Sequence, residues 1–234
     1  MSHQPLHLPV AVVSGGTSGI GLAIVEDLAR DHHVYALGRN HQSLQQLEGR
    51  ANITPVALEL LDLDAVAAFV APLARVDVLV HSAAISEWFT TAQARPDDWR
   101  RHFELNVVVP AELTRLALPA LRKAQGQVVF INSGAGVRSV PGHTVYSASK
   151  HALRALADGV RIDEAQHLVR VSTVAPGPTD TPMNYKSRVA RGEPEQIERY
   201  DYSDPKSVAA GVRVVVDATE DSQITEVVVR PRKG

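Results

Sequence analysis

A tyrosine and a lysine four residues apart, Tyr146 and Lys150, have a spacing that suits chemistry. Residues four apart on an α-helix are neighbours, so a helix here would place the phenol beside the ammonium group. A phenol ordinarily loses its proton near pH ~10. A nearby positive charge lowers the pKa of a phenol toward neutrality, where general acids and bases work best. The pair alone predicts little, because a surface tyrosine beside a solvated lysine has the same spacing.

A glycine-rich stretch over residues 14–21 forms a second candidate site. It reads Ser-Gly-Gly-Thr-Ser-Gly-Ile-Gly and lies between an apolar run and a helical pattern. Glycine permits positive φ and close approach of a pyrophosphate, which the N-terminus of the following helix stabilises. A tight turn without a ligand is the alternative, and the Gly-Lys-Ser/Thr ending of a P-loop is missing. We predict dinucleotide binding by Ser14, Gly15, Thr17, Ser18, Gly19, Ile20 and Gly21.

The end of the second apolar run bears on which dinucleotide is bound. About 20 residues beyond such a glycine loop, an acidic side chain grips an unphosphorylated ribose, whereas an arginine accommodates a 2′-phosphate. Here Gly38 stands where the acid is expected, and Arg39 follows it. An ordinary surface arginine is the alternative. The pattern favours NADP(H) over NAD(H) as the cofactor.

The elements that would position these residues alternate along the chain. Short runs rich in Val, Ile and Leu are typical of strands buried on both faces of a parallel sheet. The predicted strands are residues 10–13, 34–37, 54–58, 76–80, 127–132, 169–174 and 224–229. The predicted helices are residues 20–29, 42–47, 63–73, 99–121, 145–165 and 207–218, with Pro110 and Pro119 expected to kink or end the fourth. This alternation predicts a single α/β domain over residues 1–234, a Rossmann-like doubly wound sheet of about seven strands with helices on both faces.

Composition excludes several classes of protein. Of 234 residues, 44% are hydrophobic and 21% charged, which is typical of globular proteins. The absence of cysteine excludes disulfides and thiolate metal sites and fits a cytoplasmic location. The net charge of −2 gives no case for a nucleic-acid or membrane partner. We expect no secretory signal, no membrane span and no metal site, since His32 and His33 lack a matching ligand cluster.

Together, the glycine loop, Tyr146, Lys150, Ser133 and Asn106 make the chain resemble the short-chain dehydrogenase/reductase family in its compact, single-domain form. The resemblance covers residues 10–229. It implies an NADP(H)-dependent oxidoreductase that interconverts a carbonyl and an alcohol by hydride transfer. It also implies roles: Tyr146 exchanges the proton, and Ser133 holds the substrate oxygen. Lys150 binds the nicotinamide ribose and keeps Tyr146 acidic, while Asn106 holds a water that links the lysine to solvent.

The resemblance implies further cofactor contacts. The expected contacts of the nicotinamide are Pro176, Gly177, Thr179 and Thr181. Those of the adenine are Glu59 and Leu60, and those of the ribose are Ser82, Ala83 and Ala84. His81 stands where the family has an asparagine after the fourth strand. We expect this histidine to be buried and hydrogen-bonded rather than catalytic.

The remaining features concern the substrate and the partners. The irregular stretch over residues 178–204 is predicted to be a mobile substrate lid. Trp88, Phe89 and Met183 are candidates for the pocket lining, whereas Arg230, Arg232 and Lys233 are predicted to be a solvated tail. The predicted partner is a small carbonyl or alcohol substrate. The family resemblance also implies a homodimer or homotetramer that assembles through the fourth and fifth helices.

Two alternative functions are weaker. A regulatory protein could bind NADP without chemistry, but this chain retains Ser133, Tyr146, Lys150 and Asn106. A nucleotide-sugar epimerase on a related scaffold is disfavoured because little chain follows the sixth predicted strand.

Overall fold

The computed structural model describes residues 8–193, 197–198 and 200–233. Within these residues the strands form one parallel sheet in the order β3-β2-β1-β4-β5-β6-β7. The strands are β1 (Val10–Ser14), β2 (His33–Gly38), β3 (Ile53–Ala57), β4 (Val78–His81), β5 (Gln127–Ile131), β6 (Arg170–Pro176) and β7 (Glu226–Val229). The predicted doubly wound α/β sheet is therefore confirmed.

The helices pack on both faces of this sheet. They are α1 (Gly19–Leu28), α2 (His41–Gln45), α3 (Leu63–Val70), α4 (Pro96–Phe103), α5 (Val109–Ala124), α6 (Thr144–Glu164), α7 (Pro182–Ala190) and α8 (Pro205–Val216). None of these helices has both the length and the apolar character needed to cross a bilayer.

One sequence-based expectation about helices is wrong, and of another, that Pro110 and Pro119 kink or end the fourth helix, only the ending is contradicted. Neither Pro110 nor Pro119 ends the fourth predicted helix: α4 passes through a π-helical segment, Glu104–Val108, into α5, which continues to Ala124. Pro110 lies where the π-helical segment gives way to α5, and because it has no N–H it cannot donate a hydrogen bond to the preceding turn. The stretch between residues 176 and 205 was expected to be irregular, yet it contains α7, whose N-cap is Thr181.

Two hydrophobic cores hold the layers together. On one face, Ile24 and Leu28 of α1 pack with Val208 and Val212 of α8 against the sheet. On the other face, residues of α3, α5 and α6, including Leu113 and Leu153, pack around Phe130. Strands β4 and β5 are buried along their whole length, which explains their unbroken apolar sequence.

The strand order reverses between β1 and β4. The chain runs outward from β1 to β2 and β3, then returns to β4 on the other side of β1. The helices that follow β1 and β4 therefore pack on opposite faces of the sheet, and the carboxyl edge at this switch point is where ligands bind in open α/β sheets.

Candidate active site

Tyr146 and Lys150 lie one turn apart on α6, as their spacing predicts, and both line a cavity of about 700 Å³ at the carboxyl ends of the strands. Lys150 is buried, and its Nζ donates a hydrogen bond to the backbone oxygen of Ile131 at 2.9 Å. The same Nζ lies 5.8 Å from the centroid of the Tyr146 ring. The helix therefore brings the cation to the phenol, and β5 holds the cation in place.

The protein shifts the pKa of Tyr146 in the direction opposite to the one expected from the sequence. Burial raises the pKa of the Tyr146 phenol, and a hydrogen bond with Ser133 opposes this only in part. Burial also lowers the pKa of Lys150 to about 8. Both shifts have one cause: a charged group loses its hydration when it is enclosed. The expectation that Lys150 lowers the pKa of Tyr146 is therefore wrong for the protein alone.

Ser133 lies beside the phenol, at the end of β5. Its Oγ accepts a hydrogen bond from the backbone N–H of Ala135 at 3.1 Å, which fixes the turn Gly134–Gly136. Its hydroxyl also hydrogen-bonds with Tyr146. Two hydroxyl groups thus converge on one point of the cavity wall, where they can both reach a single substrate oxygen.

Asn106 does not line the cavity. It is fully buried in the π-helical segment, and its amide nitrogen donates to the backbone oxygen of Ile85 and to Ser149 Oγ, both at 3.0 Å. Its Oδ1 accepts from the backbone N–H of Ile85 at 2.9 Å. Both amide hydrogens are therefore used within the protein. The side chain positions the loop after β4 against α6 rather than contacting Lys150.

The glycine loop forms the opposite wall of the cavity. Gly15 and Gly19 have φ of +67° and +52°, which favours glycine, and a Cβ on Gly15 would lie 2.8 Å from Ala83 Cα. The backbones after β1 and β4 are therefore in close contact. The cavity lining includes predicted cofactor residues from the three segments that follow β1, β4 and β6: Gly15, Ser18, Gly19, Ile20, Gly21, Ser82, Ala83, Ala84, Pro176, Gly177, Thr179 and Thr181. A pyrophosphate in this cavity would meet the N-terminus of α1, so the residues present fit a dinucleotide.

Some predicted cofactor residues lie elsewhere. Ser14 is buried, and its Oγ accepts from the backbone N–H groups of Ser82 and Ala83 at 3.2 and 3.3 Å, so it ties β1 to the loop after β4. Leu60 belongs to a hydrophobic core. Thr17 packs against Gly38, where a Cβ would lie 2.4 Å from its methyl group. These three residues do not line the cavity.

Arg39 and Glu59 contact each other. Arg39 Nη1 donates to Glu59 Oε2 at 3.1 Å, and their side chains are 75% and 47% exposed. The pair lies at the ends of β2 and β3, next to Thr17 and Gly38, and outside the cavity. An exposed ion pair contributes only ~0–1 kcal/mol, so Arg39 can exchange Glu59 for a phosphate at small cost.

The cavity also has a substrate side that the sequence revealed only in part. Met183, on α7, lines it as expected, but Trp88 and Phe89 do not: Trp88 packs on Gly142, and Phe89 pairs with His143. Two segments that the sequence predicts to build the pocket, residues 134–143 and the lid, contribute Val137, Arg138, Val140, His143, Asn184, Ser187 and Arg191. Asn132 and Arg230, which were not expected there, also line the cavity.

Arg230 is the lining residue that the sequence placed wrongly. It follows β7 and was expected to belong to a solvated tail. This expectation is wrong, because β7 pairs with β6 and places Arg230 beside Pro176 and Gly177, which we call the Pro-Gly loop. Lys233 pairs with Glu198 at 2.8 Å, and Arg232 stacks on Tyr200. Strand order alone puts residue 230 at the site, and the local sequence carries no signal of it.

His81 is a structural residue, as expected. It is buried, its Nε2 lies 2.8 Å from Thr114 Oγ1, and its ring stacks on Phe130. Burial lowers the pKa of His81 to about 3, so it is neutral. Among the described residues, no group of three His, Asp or Glu side chains could hold a metal ion.

The predicted lid is partly visible. Residues 194–196 and 199 lie outside the described part of the chain. The ends of the lid are tied by a bridge between Thr179 and Ser203. The Thr181 hydroxyl accepts from the backbone N–H of Asn184 at 3.1 Å and so caps α7. Lid mobility stays a prediction.

The fold and the site together define a Rossmann-like α/β protein, with a crevice between a glycine loop and a Ser-Tyr-Lys group on a doubly wound parallel sheet. The sequence profile of the short chain dehydrogenase family matches residues 9–192. The chain therefore belongs to the short-chain dehydrogenase family, whose chemistry is oxidoreduction by hydride transfer.

Three similar proteins support this. Dehydrogenase/reductase SDR family member 7B of Bos taurus is 33% identical over 78% of this chain and 62% of its own length. Glycine betaine reductase ATRR of Emericella nidulans is 31% identical over 97% of this chain, which spans only 19% of that protein. A metagenomic short-chain oxidoreductase, solved in complex with NADP, is 30% identical with a TM-score of 0.80 over 97% of this chain and 99% of its own.

Proposed function

We propose that this protein is an NADP(H)-dependent oxidoreductase that interconverts a carbonyl and an alcohol. The observation that carries this proposal is the meeting of Tyr146, Ser133 and Lys150 in the same cavity as the glycine loop. Arg39 and the NADP in the metagenomic relative support the choice of cofactor. A homodimer or homotetramer, a single domain over residues 1–234 and a cytoplasmic location stay predictions.

Each catalytic side chain has a task in the reducing direction. NADPH, when bound, supplies the hydride, which no side chain can supply. The Tyr146 hydroxyl donates its proton to the carbonyl oxygen, and the Ser133 hydroxyl donates a hydrogen bond to the same oxygen. The raised pKa of Tyr146 keeps the phenol protonated at neutral pH and ready to donate. Lys150 lies behind the phenol, and a ribose hydroxyl would offer its ammonium group a second acceptor.

Replacement of Tyr146 by Phe tests the proposal. The variant loses the acidic proton but keeps the ring, so we expect turnover to fall by ~10²–10⁴-fold while NADPH binding is retained. The measurement is NADPH oxidation by absorbance with a panel of aldehydes and ketones, beside a titration of NADPH binding by fluorescence.

The same experiment separates the alternative function. A regulatory protein would bind NADPH but would oxidise it with none of the carbonyl compounds, before or after the substitution. Failure of the wild-type protein to bind NADPH would instead refute the choice of cofactor.

A further inference from the structure

The cavity beside Tyr146 carries charge of one sign. Its charged lining residues are Arg138, Lys150, Arg191 and Arg230, and no Asp or Glu lines it in the described part of the chain. The whole chain has slightly more acidic than basic residues, 26 against 24. A cleft lined by a single sign of charge raises the local concentration of oppositely charged ligands.

Arg230 lies next to Gly134 and Gly177, two glycines that line the cavity. A Cβ on Gly134, the residue after Ser133, would be 3.0 Å from Arg230 Nη2, and a Cβ on Gly177 would be 3.0 Å from its Cδ. The guanidinium group therefore lies against the turn that follows β5, and the side chain crosses the Pro-Gly loop. Glycine at both positions leaves the room for it.

Arg138 belongs to the same turn. Its backbone N–H donates to the backbone oxygen of Gly134 at 3.2 Å, so the turn folds back on itself, and Arg138 lines the same cavity. In the described residues, neither Arg138 nor Arg230 has an acidic partner within 4 Å, whereas Arg75, Arg122 and Arg213 do. Two guanidinium groups are thus available to a ligand.

Arg191 has a different task. It already pairs with Glu193, with Nε to Oε1 at 2.8 Å, and its Nη1 lies 3.3 Å from His143 Nε2. Burial and then the charge of Arg191 lower the pKa of His143. The histidine is therefore neutral at neutral pH and accepts a hydrogen bond from Arg191. Of the three lining arginines, Arg138 and Arg230 are thus the two without an acidic partner among the described residues.

The glycine loop already accounts for the phosphates of a dinucleotide, at the N-terminus of α1. Arg138 and Arg230 lie around Gly134, the residue after Ser133, in the same cavity as Tyr146. Beside them, Val137, Val140 and Met183 offer exposed aliphatic surface. Guanidinium groups bind carboxylates and phosphates in a bidentate manner, through two parallel N–H···O hydrogen bonds.

The geometry points to a carbonyl or alcohol substrate that carries an anionic group, a carboxylate or a phosphate, bound by Arg138 and Arg230 while Ser133 and Tyr146 hold the reacting oxygen. This inference rests on the proposed function, because it concerns the substrate of the same site. The aliphatic residues would contact a short carbon chain between the two ends.

The test compares matched ligands on the NADP⁺-loaded protein, where an oxo compound binds but cannot react. The probes are 2-, 3- and 4-oxo acids with their methyl esters, and dihydroxyacetone phosphate with dihydroxyacetone. We expect calorimetry to show at least one anion bound tenfold or more tightly than its neutral partner.

The Arg138→Gln, Arg230→Gln double variant should lose at least tenfold of this preference, and Arg100→Gln, on exposed α4, should keep it. The acid and the phosphate arms identify which anion is preferred.

Several results would overturn the inference. One is an absence of anion preference in every pair, and another is a preference that survives the double substitution. A third is a loss of NADP⁺ binding in the double variant, which would assign these arginines to the cofactor. Failure of the proposed function would give another result: the wild-type protein would bind an oxo acid but would not oxidise NADPH with it.

Discussion

The burial of Lys150 makes this residue a measurable source of instability. Its ammonium group has one acceptor in the described structure, the Ile131 carbonyl, and burial lowers its pKa from 10.5 to about 8. Between these two values the folded protein has released the proton while the unfolded chain still holds it. The contribution of Lys150 to the free energy of unfolding therefore rises with pH across this window. It is lowest below about pH 8.

A stability measurement can detect this contribution. Relative to Lys150→Met, the wild-type free energy of unfolding should increase by about 2 kcal/mol between about pH 7 and pH 9.5, since one pKa unit corresponds to about 1.4 kcal/mol. Urea unfolding of both proteins at the two pH values measures it. A constant difference between the proteins would show that Lys150 has an ordinary pKa.

Arg39 is the residue on which the cofactor preference depends. We expect Arg39→Gln to raise the Kd for NADPH about tenfold and to change the Kd for NADH little, because only NADPH carries a 2′-phosphate. Glu59→Gln should lower the Kd for NADPH, since it releases Arg39 from its ion pair. Fluorescence titrations with both cofactors measure these changes, and equal losses for NADPH and NADH would contradict the assignment.

At the scale of elements, the π-helical segment Glu104–Val108 joins two parts of the site. It places Asn106 between the loop after β4 and α6, where the side chain contacts Ile85 and Ser149. A buried backbone group without a partner costs ~1–3 kcal/mol, so this one side chain holds the loop against the helix that carries Tyr146.

Removal of that contact should affect both stability and turnover. We expect Asn106→Ala to lower the free energy of unfolding by about 3 kcal/mol, because the N–H and the carbonyl of Ile85 both lose their partner. Asn40→Ala, which removes an exposed cap of α2, should cost only ~1 kcal/mol. Urea unfolding and NADPH oxidation measure the two effects. An Asn106→Ala protein as stable as Asn40→Ala would exclude the positioning role.

At the scale of the whole molecule, α6 presents an apolar side chain to solvent. Ile162 is 76% exposed, although it lies on the helix that also carries Tyr146 and Lys150. The predicted fourth and fifth helices, which mediate the assembly that the family resemblance implies, correspond to α4–α5 and α6. Ile162 therefore lies on the surface through which the family resemblance implies assembly, and a charge there tests that interface.

A charge at this position should block assembly. We expect Ile162→Glu to convert a homodimer or homotetramer into a smaller species, because the carboxylate would be buried without a partner. Leu61→Glu, at an exposed aliphatic residue before α3, should leave the oligomeric state unchanged. Light scattering after gel filtration gives the masses. The same mass for wild type and Ile162→Glu would exclude this interface.

The sequence by itself determined the elements and the reacting pair. Apolar runs without polar alternation predicted the seven strands, because a strand buried on both faces has no polar positions. The spacing of Tyr146 and Lys150 predicted that the two side chains are neighbours, because the geometry of a helix depends only on nearby residues. The glycine loop was predicted for the same reason.

Only the tertiary structure decided the electrostatics and the membership of the cavity. The direction of the pKa shift of Tyr146 depends on enclosure by distant segments, and burial outweighs the hydrogen bond with Ser133. Arg230 reaches Gly134 because β7 lies beside β6, a contact between residues almost a hundred positions apart. Such properties depend on which parts of the chain meet in space, and local sequence patterns do not encode those meetings.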